Sequence, residues 1–467
     1  MKKILFINLA INCGWASGIN HGIAVLVPIA RKNFFEVSFL NLRHEISPKK
    51  FEKIIGEVSP TVIAFSSTSQ QLKYLSKFSN ILPRFPEMLS IVGGVGPTLD
   101  PITFLTQSQV NGVCIGEGEI ALTDLLINLN EKNDIFSTKG FAWINKGQLI
   151  NNSNPNFVRD LSKLDFPDYS IFDRKLILGG GRLNVMLSRG CPYNCNYCCN
   201  HSLKNKYSHL KNYFRLPSVE YGIELLSNLI QEYPETQRID FEDDLLISNK
   251  EWFTQFANEY SKKIKLPYRL CVRTECIDEE IVSLLTKTGC EIVYLGLECG
   301  NEEFRKKILN RHYTNDQIIK KCKLMKNAEL KIFTFNMVGF PYETESLMEE
   351  TLELNKQIEP DEGTCSFFYP YKGTKLYQIC KENNLLKEES ELINITNYNS
   401  RPSIKMDDQL EKICMSYQKK ISAYLNRKKL FHSWAESKLK NHLVLYDLIR
   451  NYYSKLGHIK NKFFSLG

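Results

Sequence analysis

The 467-residue sequence has no apolar run long enough to span a membrane. Its fourteen cysteines are spread along the chain without the framework pattern of a small secreted protein, which predicts a reducing, cytoplasmic environment. Hydrophobic residues make up 43% and charged residues 24%, as in ordinary globular proteins. The sequence thus excludes a disulfide scaffold and predicts two or three domains.

Positive charge is unevenly distributed along the chain. The net charge is +8, and most of the excess lies in a basic, helical segment from Lys419 to the end. Such a segment can contact an anionic membrane surface. The alternatives are a solvated helix face and, less favoured, nucleic-acid binding.

Three cysteines, Cys191, Cys195 and Cys198, share one short loop with the spacing C-x3-C-x2-C. Clusters of four irons that only transfer electrons take four thiolates, so three would leave one iron open to a ligand. The alternative is a zinc site, which needs a fourth ligand at similar spacing. Cys199 is a poor candidate because it adjoins Cys198, and His201 is a weak one.

The first 130 residues alternate predicted strands with predicted helices. This order is typical of a parallel, doubly wound sheet, whose ligands bind at the carboxyl ends of its strands. The predicted strands are Lys3–Leu9, Val37–Leu42, Thr61–Ser66, Ser90–Gly93 and Gly112–Ile115, and the predicted helices are Gly22–Lys32, Pro48–Val58, Gln70–Leu82 and Glu119–Asn130.

Small residues follow several of these predicted strands. Glycines and hydroxyls let the backbone approach a flat or anionic ligand closely, although tight turns need glycine in any case. The candidate ligand contacts are Gly14, Ser66, Ser67, Gly93, Gly94, Gly116 and Glu117.

The chain beyond residue 137 divides into three parts. Residues 138–180 predict a connector with a hairpin turning at Asn145–Gly147, and residues 386–467 are mainly helical. Between them, residues 181–385 predict six strand–helix units, giving an α/β protein with domains 1–137 and 181–385. The six strands are Asn184–Ser188, Arg238–Glu242, Tyr268–Val272, Glu291–Leu297, Lys331–Met337 and Gly363–Phe368.

The cysteine loop, with Tyr197 directly before its last cysteine, resembles that of the radical S-adenosylmethionine (SAM) superfamily. Further motifs follow in the family's order: Gly296-Leu-Glu-Cys-Gly300, Gly339-Phe-Pro-Tyr-Glu-Thr344 and Pro370-Tyr-Lys-Gly-Thr374. The resemblance implies a partial (βα)6 barrel and a [4Fe–4S] cluster held by the three cysteines. The open iron would chelate SAM.

The same resemblance implies where SAM is contacted. An acidic turn would meet the ammonium group, an arginine the carboxylate, and the glycine-proline turn the adenine; a solvated turn and a structural salt bridge are the alternatives for the first two. The implied contacts are Tyr197, Glu242, Asp243, Asp244, Arg273, Glu275, Glu298, Gly339 and Pro341. Glu275 is expected to bind a ribose hydroxyl or Arg273 itself.

The N-terminal third is similar to the cobalamin-binding domain that precedes the radical SAM core in one class of these enzymes. The D-x-H-x-x-G motif, whose histidine would ligate cobalt, is absent, and His21 and His44 lie in no such context. Some members of the class also lack this motif, so the resemblance is compatible with cobalamin bound without a histidine ligand from the protein.

The resemblance implies an enzyme that cleaves SAM reductively and abstracts hydrogen from an unactivated carbon of a small-molecule or lipid substrate. Cobalamin-dependent C-methylation is the favoured reaction, and flavodoxin or ferredoxin is the expected electron donor. The alternatives are a cyclase, oxidoreductase or rearrangement enzyme without cobalamin, and a corrinoid or iron–sulfur sensor. Cys299 and Cys365 are candidate hydrogen-atom donors facing the cavity.

Overall fold

The computed structural model describes residues 2–11, 19–152, 156–388, 391 and 400–427. Gly14 and the basic segment beyond residue 427 lie outside these ranges. Within them, no helix combines the length and the apolar character that crossing a membrane requires.

The first sheet has seven strands in the order β2-β1-β3-β4-β5-β6-β7. Strands β1 to β5 pair in parallel, which confirms the predicted doubly wound arrangement. The strands are β1 (Lys2–Leu9), β2 (Phe35–Leu42), β3 (Val62–Ser66), β4 (Leu89–Gly93), β5 (Gly112–Cys114), β6 (Phe141–Asn145) and β7 (Gln148–Asn151). Its helices are α1 (His21–Lys32), α2 (Pro48–Val58), α3 (Leu72–Ser79), α4 (Val95–Leu99), α5 (Pro101–Gln107) and α6 (Gly118–Glu131).

Both faces of this sheet are covered, because successive side chains of a strand point to opposite sides. In β1, Leu5 and Ile7 pack with α2, α3 and α5, whereas Ile4 and Phe6 pack with α1 and α6. Helices α4 and α5 were not predicted: the Gly93–Pro97 segment was interpreted as a turn, but it continues into α4.

The hairpin β6–β7 adds two antiparallel strands to the edge of this sheet. Its turn is where the sequence predicts it, since Lys146 and Gly147 both have positive φ angles, 49° and 77°. A Cβ atom on Gly112 would lie 2.2 Å from the Trp143 ring, so the strand pairing itself requires glycine.

The second sheet has six parallel strands in chain order, and their helices cover its outer face. This is the open, partial barrel that the sequence predicts. The strands are β8 (Arg182–Val185), β9 (Arg238–Phe241), β10 (Tyr268–Val272), β11 (Cys290–Glu298), β12 (Lys331–Val338) and β13 (Glu362–Phe367). The helices are α7 (Arg174–Ile177), α8 (Cys199–Lys206), α9 (Val219–Glu232), α10 (Lys250–Lys263), α11 (Glu279–Lys287), α12 (Glu302–Phe304), α13 (Asn315–Asn327), α14 (Glu345–Ile358), α15 (Lys375–Glu382) and α16 (Asp408–Leu425).

Helix α16 belongs to the outer layer of the second sheet. Its first turn is capped by Asp407, which accepts a hydrogen bond from the Leu410 amide at 2.8 Å. Ile421 and Leu425 pack with Phe367 of β13. The part of the C-terminal region that the structure describes therefore completes the barrel wall.

The carboxyl ends of the two sheets face each other. His21, after β1, lies 3.0 Å from Glu242, after β9. Lys372, after β13, pairs with Asp100 at 2.9 Å. Helix α4 of the first sheet packs against α8, which directly follows the cysteine loop of the second.

Candidate active site

The cysteine loop joins β8 to α8 and is held by hydrogen bonds at its centre. The amide nitrogen of Asn196 donates to the Leu309 carbonyl at 3.1 Å, and its side chain donates to the Ile308 carbonyl at 2.8 Å. The Leu376 amide donates to the Asn196 carbonyl at 3.0 Å. Two distant segments thus fix the loop that carries the three thiols.

The three thiols of this loop are the candidate ligands of the cluster. Within the described ranges, no three Cys, His, Asp or Glu side chains form a group that could hold a metal ion. Cys191, Cys195 and Cys198 are all free of disulfides. Cys198 is the N-cap of α8, and the positive end of a helix favours thiolate ligands. Even so, the pKa of both thiols is raised, that of Cys191 to about 12 by burial and that of Cys198 by its hydrogen bond with Cys199 and by burial.

Arg273 lies against this loop rather than facing open space. Its Nη1 donates to Sγ of Cys195 at 3.0 Å, and its Nη2 donates to Glu275 at 2.7 Å. The guanidinium stacks over the Tyr193 ring, with its Cζ 3.8 Å from the ring centroid. Of the two partners predicted for Glu275, the structure shows the arginine. The contact of Arg273 with a SAM carboxylate stays a prediction.

Glu298 ends β11 and is paired with an arginine that the sequence analysis did not identify. The buried Arg311 donates to Glu298 at 3.3 Å and to the hydroxyl of Tyr197 at 2.9 Å. Glu298 has a φ of 68°, and a Cβ on Gly296 would lie 2.6 Å from its carboxylate. The Glu298 carboxylate therefore folds back over Gly296, and a side chain at this position would displace it. No sequence motif indicated Arg311, since the chain reverses after β11 and brings this residue back to Glu298.

The acidic turn after β9 splits into three different environments. Asp243 is buried and accepts hydrogen bonds from the Leu187 amide at 3.0 Å and from Ser188, so it fixes the end of β8. Glu242 points to His21 of the first domain. Asp244 keeps accessible surface, yet the protein around it desolvates the carboxyl and raises its pKa to about 6. Among these three, Asp244 is the carboxyl placed beside the cysteines.

The glycine-proline turn after β12 is stabilised from within. Oε2 of Glu343 accepts hydrogen bonds from the amides of Gly339, at 2.6 Å, and Phe340, at 3.1 Å. Burial raises the pKa of Glu343 to about 8 despite these bonds. Pro341 is buried in the same turn. The Glu343 carboxylate thus holds the backbone of the turn in place.

The small-residue loops of the first sheet lie on the face that meets the barrel. Ser66 accepts a hydrogen bond from Asn20 at 2.9 Å, and the buried Ser67 donates its amide to the Gly93 carbonyl at 3.0 Å. Gly94 has a φ of 109°, and a Cβ there would lie 2.6 Å from the Ser67 carbonyl oxygen.

Gly116 completes this edge; its φ is 93° and its amide donates to Thr98 at 2.9 Å. The partly exposed backbone of these loops, with few bulky side chains, fits a large planar cofactor.

Two residues of the first domain are engaged by the barrel. Glu117 pairs with the buried Arg215, whose Nη1 lies 3.1 Å from its carboxylate. His21 uses both ring nitrogens, one 2.7 Å from the Tyr169 hydroxyl and the other at Glu242. Both ring nitrogens of His21 are therefore engaged by protein groups in this structure.

The two candidate hydrogen-atom donors do not face the cavity. Cys299 packs among Phe304 and Phe340, and Cys365 faces α16; both are fully buried. Helix α16 covers the outer face of β13, and no sequence motif indicated that it would. Cys271 of β10 keeps accessible surface near the acidic turn instead.

The fold and this site define a class: an α/β enzyme with a three-cysteine cluster loop on an open parallel barrel, faced by a doubly wound cofactor-binding domain. Family comparison agrees with both halves. Residues 185–354 match the radical SAM superfamily and residues 14–126 match the B12 binding domain. The chain belongs to the radical SAM superfamily and carries an N-terminal B12-binding domain. Its cofactors are a [4Fe–4S] cluster, SAM and cobalamin.

Several characterised or named proteins are similar over most of the chain. It is 26% identical over 374 residues to an uncharacterized methyltransferase, PH0819, from Pyrococcus horikoshii, covering 78% of this chain and 79% of that protein. It is 21% identical to an anaerobic magnesium-protoporphyrin IX monomethyl ester cyclase from Cereibacter sphaeroides, covering 83% of this chain and 63% of the cyclase.

Solved structures show the same fold at low identity. The radical SAM methyltransferase TsrM from Kitasatospora setae, with tryptophan and a SAM analogue bound, aligns with a TM-score of 0.67 and 15% identity, covering 82% of this chain and 76% of TsrM. The cobalamin-dependent radical SAM enzyme OxsB aligns with a TM-score of 0.63 and 15% identity, covering 92% of this chain and 56% of OxsB.

Proposed function

We propose that this protein is a cobalamin-dependent C-methyltransferase acting on an unactivated carbon of a small-molecule substrate. The observation that carries the proposal is the facing of two edges: the carboxyl edge of the B12-binding sheet meets the acidic turn of the barrel through His21 and Glu242, and helix α8, which follows the cysteine loop, packs against α4 of that sheet. The first domain would span residues 1–137 and the radical SAM core residues 181–385. When bound, the cluster supplies the electron that cleaves SAM, and cobalamin supplies the methyl group.

The chain's own residues hold these groups in separate places. Cys191, Cys195 and Cys198 would bind the cluster, and the loops at Ser66, Gly94 and Gly116 would bind the corrinoid. For SAM, the buried Glu298–Arg311 pair, Tyr197 and the turn at Gly339 and Pro341 supply a polar wall and an apolar one. Asp244 would face the ammonium group.

The partners follow from this chemistry. Radical SAM enzymes commonly need an electron donor and a small-molecule substrate. We propose flavodoxin or ferredoxin as the donor. Contact of the basic C-terminal segment with an anionic membrane surface would suit a lipid substrate.

Corrinoid retention is the first test. The protein is reconstituted anaerobically with iron and sulfide, incubated with hydroxocobalamin, desalted and examined by UV–visible absorption. Retention of about one equivalent of corrinoid per protein, together with formation of S-adenosylhomocysteine from SAM under reducing conditions, is expected. Full iron–sulfur absorbance with complete release of corrinoid would instead favour a cyclase, oxidoreductase or rearrangement enzyme.

SAM turnover separates the enzyme from a sensor. Formation of 5′-deoxyadenosine is expected in the reduced protein and should disappear in the Cys195→Ser variant. The Cys322→Ser variant, changed at a buried thiol of α13 away from the loop, is the matched control. Absence of SAM cleavage in fully reconstituted protein would support a sensor.

A further inference from the structure

Arg273 has an unusual set of neighbours for a residue expected to bind a SAM carboxylate. One side of its guanidinium donates to Sγ of Cys195 and the other is occupied by Glu275. The flat face lies on the Tyr193 ring. The side chain is 9% exposed. Two edges and one face of the group are therefore engaged with the cysteine loop and its surroundings.

The neighbours that fix this orientation are themselves held. The Tyr193 hydroxyl lies 3.4 Å from Sγ of Cys276, within the turn that follows Arg273. Stacking of a guanidinium on an aromatic ring and pairing with a carboxylate both depend on its planar fork, which lysine lacks. The arrangement thus directs one N–H group at the sulfur of a cluster ligand.

A hydrogen bond and a positive charge at a cluster sulfur change its reduction potential. Reduction adds one negative charge to the cluster, and in a partly buried site a nearby cation stabilises the reduced state more than the oxidised one. Arg311 also lies near Cys195, but its N–H groups are directed at Glu298 and Tyr197.

We propose that Arg273 is a positioning residue of the cluster, whose hydrogen bond to the Cys195 sulfur makes the cluster easier to reduce. Glu275 opposes this effect, because its carboxylate offsets the charge of Arg273 while holding it in place. The inference concerns the cluster in the absence of SAM and cobalamin, so it does not depend on the proposed methyl transfer.

The test is a spectroelectrochemical titration of the reconstituted cluster without SAM or corrinoid, with iron content and the electron paramagnetic resonance spectrum of the reduced state as further readouts. In Arg273→Gln, we expect the ratio of reduced to oxidised cluster at a given potential to fall about tenfold, equivalent to about 59 mV for one electron. Glu275→Gln should move the midpoint in the opposite direction. Arg273→Lys, which keeps the charge, should move it less.

The matched control is Arg174→Gln, since Arg174 forms an exposed ion pair with Glu235 and its loss should leave the midpoint unchanged. An unchanged midpoint in Arg273→Gln with full iron content would overturn the proposal. So would a shift that occurs only after SAM is added, because it would make Arg273 a SAM ligand. If Arg273→Gln loses its iron, unchanged midpoints in both Arg273→Lys and Glu275→Gln would overturn it.

Discussion

The facing edges of the two sheets are lined by different kinds of groups. The edge of the first sheet consists of backbone and small side chains, with Gly94 and Gly116 in left-handed conformations. The edge of the second consists of buried charged groups, such as the Glu298–Arg311 pair. A backbone surface adapts to a large flat cofactor at many points, whereas paired charges position a small ligand at a few points. The difference predicts that the two cofactors can be lost separately.

The largest effect should come from the cysteine loop. Replacing Cys195 with serine removes one of three thiolates, so we expect complete loss of the [4Fe–4S] absorbance with retention of the corrinoid. Cys199→Ser is the adjacent control and should keep both iron and SAM cleavage. Iron and sulfide analysis measures the outcome. Equal loss in Cys199→Ser would show that the fourth thiol is a ligand.

The charged edge can be broken without touching a cysteine. Arg311→Met leaves the buried Glu298 carboxylate without its cation, at an expected cost of about 3–5 kcal/mol in the free energy of unfolding. The double variant Arg311→Met/Glu298→Gln should recover part of this. Arg84→Met, which removes an exposed pair with Glu52, should cost at most about 1 kcal/mol. Anaerobic urea unfolding compares them, and equal costs at the two sites would refute the prediction.

The backbone edge can be tested with a single methyl group. A Cβ at Gly94 meets the Ser67 carbonyl oxygen, so Gly94→Ala should weaken corrinoid retention about tenfold, or about 1.4 kcal/mol, while cluster absorbance stays unchanged. Gly56→Ala is the matched control, because a Cβ there has no neighbour within 4 Å among the described residues. Loss of both cofactors in Gly94→Ala would break the comparison.

The smallest effect, taken over a single pH unit, is a pH dependence. The pKa of Glu343 rises from its ordinary value of 4.5 to about 8 in the folded state, so the folded protein binds this proton more tightly. Its contribution to stability is complete below about pH 4.5 and is lost as the pH rises toward 8, by at most about 1.4 kcal/mol per pH unit.

Glu343→Gln should flatten this slope in the melting temperature between pH 5 and 8. The control Glu303→Gln should not, since Lys307 lowers the pKa of that exposed carboxyl below this range. A slope that is unchanged in Glu343→Gln would assign the pH dependence to another group.

Much of this architecture was predictable because strands buried on both faces leave a strong pattern. The strand–helix alternation gave both sheets, and the cysteine spacing gave the loop. The directions of individual side chains were harder to predict from the sequence. Glu242 points to His21 of the other domain. Arg311 reaches Glu298 only because a π-helical turn at Arg305–Leu309 redirects the chain. Both directions are set by tertiary structure and leave no local sequence pattern.

Helix α16 shows the same limit. Its apolar face is typical of any packed helix, and nothing local indicates that it covers β13 and thereby buries Cys365. The prediction that Cys365 faces the cavity was wrong for this reason, and the same prediction for Cys299 was wrong because it packs among Phe304 and Phe340.

The ion pairs across the junction also bear on how such proteins can be recombined. Arg215 is 5% exposed and its carboxylate partner, Glu117, belongs to the other half of the chain. A chimera that joins this first domain to a related barrel lacking the arginine would leave the Glu117 carboxylate without its partner. The barrel expressed without the first domain would leave Arg215 without its partner. The two domains can be exchanged between related proteins only if both partners of each pair are kept, Glu117 with Arg215 and His21 with Glu242.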